Sequence, residues 1–233
     1  ALPICNNCPA CYNNGSNGSL SVEVRYFIDT IDFSQAPYSA FGTSFFPKVY
    51  FAFFNCCRYY KVNATGQDVT FIDAMLDLYY VRSTGNKIGF DGFANPIHPE
   101  LLLNSTFSYS FKAQTRSNLD SIAYKMVPAK FNRYYDFSYN YLRPFLIYCP
   151  TKTQSCIANT KVNPVIGAFF NERNGNYICT PTKLDEYSVL VCRADLFRNV
   201  NGKPTLLGYM KRDFQVHVQG TNYFIPSIDS YKD

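Results

Sequence analysis

Nine cysteines are the residues best equipped for chemistry in this chain of 233. They are Cys5, Cys8, Cys11, Cys56, Cys57, Cys149, Cys156, Cys179 and Cys192. Thiolates ligate zinc and iron–sulfur clusters, and Cys5-x2-Cys8-x2-Cys11 presents three of them at a short, regular spacing. A closed metal site needs a fourth ligand. No second Cys-x-x-Cys or Cys/His pair follows at a recognisable spacing. Disulfide bonding needs no such ligand and is the favoured reading, so no cofactor or metal is implied. An odd count leaves at least one thiol free or bonded to another chain. Cys56 and Cys57 are adjacent, which strains a mutual disulfide, and in a strand they point to opposite faces. Cys149 with Cys156, and Cys179 with Cys192, have the spacing of local bridges.

Histidine chemistry is confined to His98 and His217. His98 lies in the rigid stretch Asn95-Pro96-Ile97-His98-Pro99-Glu100, and His217 falls on the polar side of an alternating run. Any Cys–His or Ser–His nucleophile must use one of them. No Gly-x-Ser-x-Gly elbow, Walker loop, dinucleotide fingerprint or His-Glu-x-x-His is present. Asp29 with Asp32, and Asp73 with Asp77, are candidate carboxylate pairs, but spacing in sequence does not place two carboxyls across a cleft. Solvated acids and turn caps are the simpler reading. The chain is therefore expected not to be an enzyme.

Four Asn-x-Ser/Thr sequons, at Asn14, Asn17, Asn63 and Asn104, are candidate N-glycosylation positions. The chain begins Ala1-Leu2-Pro3 without Met, as a mature chain does after signal-peptide removal. With the cysteines, these features point to an oxidising, extracellular setting such as a cell or virion surface.

The elements that must carry these residues read mainly as strands. Leu20–Ile28 alternates apolar and polar residues, as do 107–112 and 214–219. Lys48–Asn55 is a nearly continuous aromatic run, expected as a central strand. Residues 68–82 suit a helix face or a Tyr-rich strand. The Gly- and Pro-punctuated 85–99 reads as loop. A short helix is expected over 117–126, with Ser117 as N-cap. The aromatic 131–149 is expected to form one or two strands. Asn174-Gly175 and Asn201-Gly202 are two-residue hairpin signals, because both turn positions favour positive φ. Pro204 in the second hairpin suits an edge position. The expected fold is mainly β: an antiparallel β-sandwich or jelly-roll-like domain over 20–233, with a Cys/Asn/Gly-rich arm at 1–19 and one or two short helices.

Composition narrows the partners. Lys+Arg 22 against Asp+Glu 17 gives a formal charge of +5 without a basic cluster, so a nucleic-acid partner is not expected. No apolar run approaches the roughly 18–20 residues of a membrane-spanning helix, so no transmembrane segment is expected. Twenty Tyr and 21 Phe serve first as β-domain core. A surplus left on the surface suits an interface. The leading expectation is a non-enzymatic structural glycoprotein that self-assembles into a filament, coat or surface layer, with the arm reaching a neighbouring copy. A receptor- or glycan-binding surface glycoprotein, for instance viral, is the alternative, with loops such as 90–99 as its site. A secreted hydrolase is the third.

Overall fold

The computed structural model describes residues 35–41, 43, 45–55, 70–79, 90–93, 100–115, 117–130, 132–134, 136, 140–151 and 156–220. The N-terminal arm, the expected strand Leu20–Ile28, His98, and Asp29 with Asp32 lie outside them. So do Cys5, Cys8, Cys11, Cys56, Cys57, Asn14, Asn17 and Asn63.

Eleven strands are described: β1 (Lys48–Asn55), β2 (Thr70–Asp77), β3 (Phe90–Phe93), β4 (Glu100–Leu102), β5 (Phe107–Ser110), β6 (Ala113–Thr115), β7 (Asp120–Val127), β8 (Ala168–Asn171), β9 (Asn176–Cys179), β10 (Tyr187–Val200) and β11 (Lys203–Gln219). The largest sheet has the order β1-β2-β11-β10-β7, and β4 runs parallel to the end of β11. A second sheet has the order β5-β9-β8, and β3 pairs with β6. All pairings except β4 with β11 are antiparallel. The chain is thus mainly β, as its alternating runs and turn signals predict.

The two larger sheets enclose a common core. Tyr124, Met126, Leu190, Cys192, Ala194, Phe214, Val216 and Val218 come from the large sheet, and Tyr177 and Cys179 from β9. The ring of Phe214 meets those of Tyr109 and Phe111 edge-on, each at 4.7 Å between centroids. Burying one such aromatic or aliphatic side chain contributes about 1.5–3 kcal/mol. The period-2 burial of Phe214, Val216 and Val218 follows directly from their alternation with polar residues.

The long β10–β11 hairpin closes on Asn201 (φ 53°) and Gly202 (φ 80°), the two-residue turn that Asn-Gly specifies. Pro204 pairs with Asn199 near its tip. The pairing of β2 on the other side of β11 covers only Gly208–Met210, so the missing N–H of Pro204 interrupts no ladder there among the described residues.

Five local expectations are corrected. Residues 117–126 form no helix; Asp120–Val127 is a strand whose whole length pairs with β10. The Ser117 hydroxyl instead accepts from the N–H of Leu119, closing a turn before the strand. Ile122, Tyr124 and Met126 fall on one face at period 2, and pairing with β10 outweighs the capping signal. The 131–149 segment contributes, among its described residues, only isolated bridges. Asx turns at Asn132 and Asn140 redirect the chain there. Asn174-Gly175 belongs to a four-residue loop, because the last pair is Asn171 with Asn176. The Asn171 side chain accepts from the N–H groups of Arg173 and Asn174 and makes the turn itself. Within the expected loop 85–99, Phe90–Phe93 forms β3. Finally, β1, expected as a central strand, pairs with β2 alone among the described residues and stands at the end of their strand order. A continuous apolar run reports that both faces are apolar, but not what covers them.

Candidate functional site

The outer face of the large sheet carries a connected grouping of charged and aromatic side chains. Pairing aligns Tyr50 of β1, Met75 of β2 and Tyr209 of β11, and two residues along, on the same face, it aligns Ala52 with Asp73. Strand alternation then brings Lys211 to the side shared by Tyr209. Asp73 accepts hydrogen bonds from the Tyr209 hydroxyl (2.5 Å) and from the Lys211 ammonium. The Arg193 guanidinium lies 3.8 Å over the Tyr209 ring, and Arg193 and Lys125 both pair with Asp195, at 2.5 and 2.8 Å. The network therefore crosses β2, β11, β10 and β7.

Its protonation states follow from those contacts. Burial alone would raise the Asp73 carboxyl. The hydrogen bonds from Lys211 and Tyr209, with the charges of Lys211 and Arg193, outweigh it and hold the group below the usual carboxylate range. Burial, and then the hydrogen bond to Asp73, push the Tyr209 phenol up, so it remains a proton donor. Asp73 is thus an acceptor locked in its ionised form.

A groove of about 400 Å³ opens beside this network. Tyr50, Phe71 and Tyr209 supply aromatic walls, and Asp73, Lys130, Arg133 and Lys211 line it with charge. Lys211 is paired with Asp73, and Lys130 with Asp136 at 3.1 Å. Arg133 is exposed and carries no ion pair among the described residues.

Next to the groove, β1 is unusually apolar for a surface. Phe45 is 87%, Phe46 57%, Tyr50 63%, Phe51 37% and Phe54 61% exposed. Among the described residues β1 pairs with β2 alone.

The remaining sequence candidates fall elsewhere. Cys149, Cys156, Cys179 and Cys192 are unbridged thiols in this structure. Cys149 and Cys156 nevertheless interact: the hydrogen bond from Cys156 lowers the Cys149 thiol, while burial and the same contact raise Cys156. Arg143 donates to the Cys156 carbonyl at 2.6 Å. Burial pushes Cys179 up to about 12, and Cys192 is raised for the same reason. His217 stacks on Tyr187 at 3.9 Å and lies 3.3 Å from the Asp185 carboxylate, contacts that include no nucleophile. Asp77 is buried and accepts from the N–H of Tyr79. Four strand residues put it about 13 Å from Asp73, beyond the roughly 5–9.5 Å of glycosidase carboxyl pairs. Asn104 is exposed in a turn at φ 60°, with its N–H bound to the Pro181 carbonyl. Among the described residues no group of three or more His, Cys, Asp or Glu is arranged to hold a metal ion, and no helix is long and apolar enough to cross a membrane.

Sequence reasoning missed the Asp73–Tyr209–Lys211 cluster. Its signal was present as the Tyr-x-Lys alternation at 209–211, but the partner lies 136 residues away. Comparison with protein-family models, curated proteins and solved structures finds no match to this chain.

Proposed function

We propose that this chain is a non-enzymatic, extracytoplasmic structural protein that assembles with copies of itself, as in a filament, coat or surface layer. The exposed aromatic strand β1, paired with β2 alone among the described residues, carries this reading. An edge strand offers unpaired backbone groups to another strand, and monomers usually blunt such edges with charge. Here no charged residue lies between Val49 and Asn55.

The strand is also self-complementary. Antiparallel pairing of two copies about Ala52 sets Tyr50 against Phe54 of the partner subunit, and preserves the two faces of the sheet. The five exposed rings offer on the order of 600 Å² per copy, close to the roughly 800 Å² per partner of a standard interface. Disulfides through the cysteines outside the described residues, and glycans at the sequons, belong to the same proposal.

The test is the sedimentation of the protein across a range of concentrations, beside Phe51→Lys and Phe54→Lys. The wild type is expected to associate, and each variant to weaken association about tenfold or more while keeping its far-ultraviolet dichroism. A wild type that stays monomeric at high concentration, or variants that associate unchanged, overturns the proposal.

A further inference from the structure

The groove beside β1 shares Tyr50 with the proposed pairing, but its charged lining takes no part in that pairing. Its lining presents three cations, Lys130, Arg133 and Lys211, against the single carboxylate of Asp73. The Lys211 charge is largely spent on Asp73, and Lys130 is shared with Asp136. Arg133 remains with a forked, planar donor set suited to a carboxylate. Tyr50 presents an exposed ring to the groove, and Phe71 and Tyr209 give further aromatic surface.

We infer that this groove binds a carboxylated saccharide, a sialic- or uronic-acid unit. Three complementary features of the ligand match three features of the lining. The apolar C–H face of a pyranose stacks on an aromatic ring such as Tyr50. Its hydroxyls donate to an acceptor locked in the ionised form, which Asp73 is. Its carboxylate takes the Arg133 guanidinium as a bidentate partner.

Asp73 decides between ligand classes. Its oxygens accept hydrogen bonds from sugar hydroxyls, donors that a sulfate lacks. A purely apolar ligand would leave the charged groups without compensation. The volume of about 400 Å³ suits one or two sugar units.

This inference does not depend on self-association. Binding is measured by isothermal calorimetry and by ligand-detected saturation-transfer NMR. The probes are N-acetylneuraminic acid, glucuronic acid, glucose and benzoate, and the association state is recorded on the same samples. For so small a ligand with few contacts, the two sugar acids are expected to bind with Kd on the order of millimolar. Glucose, lacking the carboxylate, and benzoate, lacking the hydroxyls, are each expected to bind about tenfold more weakly or not at all. Arg133 is exposed, so Arg133→Gln is expected to keep the fold while lowering affinity for both sugar acids about tenfold. Tyr50→Ala, which removes the platform, is expected to weaken sugar acids and glucose alike. The inference fails if neither sugar acid binds, if glucose or benzoate binds as tightly, or if Arg133→Gln binds unchanged. Preference for one of the two sugar acids identifies which source of the shared chemistry the groove takes.

Discussion

Asp73 shows how two neighbours reverse the effect of burial on a single residue. Its carboxyl is held below the 3.8 of an unperturbed Asp because Lys211 and Tyr209 donate to the ionised form. A depressed folded value means that the unfolded chain takes up the proton first as pH falls. The stabilisation is complete above the unfolded value and is lost as pH drops through the folded one. Stability of the wild type is therefore expected to begin falling as pH drops through about 4 and to go on falling below it. Asp73→Asn should show a shallower fall in that range in urea titrations at several pH values. Cysteine reactivity is a second outcome at this scale. The lowered, accessible Cys149 thiol is expected to alkylate with iodoacetamide before Cys156, Cys179 or Cys192, which burial raises. Timed mass spectrometry of peptides reads the order. Early labelling of Cys179 or Cys192 in folded protein would contradict the buried placement.

At the scale of elements, β7 and β10 are joined by more than their ladder. Arg198 and Asp120 are cross-strand partners, and the guanidinium forks onto the carboxylate at 2.6 and 3.0 Å. Both side chains are buried, at 8% and 0% exposure. Removing one member strands the other charge out of water, so Asp120→Ala is expected to cost about 3–5 kcal/mol in chemical denaturation. A loss below about 1 kcal/mol would mean that water reaches the pair. A second contact constrains β2 against β11. A Cβ at Gly208 would stand 2.5 Å from the Met75 carbonyl oxygen, so Gly208→Ala is expected to lower the melting temperature by displacing that pairing. Element types were legible where alternation was strict and turn chemistry unambiguous, as in Phe214–Val218 and Asn201-Gly202. They were not legible at 117–126. There a capping-like Ser117 competed with pairing to a strand about 70 residues further on, which no local window contains.

For the molecule as a whole, the placement of β1 connects the sheet to its proposed assembly. Association through exposed aromatic rings removes apolar surface from water. It is expected to strengthen in ammonium sulfate and to change little with sodium chloride, in contrast to a contact made by charges. Light scattering at fixed protein concentration checks both salts. Dissociation by sodium chloride alone would shift the interface from β1 to the charged face beside it.

The amino-acid sequence by itself determined the β class, the β10–β11 turn and the buried face of β11. These depend on period-2 alternation and on the positive φ that Asn-Gly tolerates, both local properties of the backbone. It also confined histidine chemistry to two positions. Only the tertiary structure decided that the aromatic run Lys48–Asn55 leaves rings exposed and, among the described residues, pairs on one side alone. It alone gathered Asp73, Tyr209 and Lys211 from distant strands, and paired Arg198 with Asp120. The reason is that the order of strands in a sheet is set by which apolar faces bury together across the whole chain. A strand carries its own alternation in its sequence, but its neighbours are chosen by every other strand.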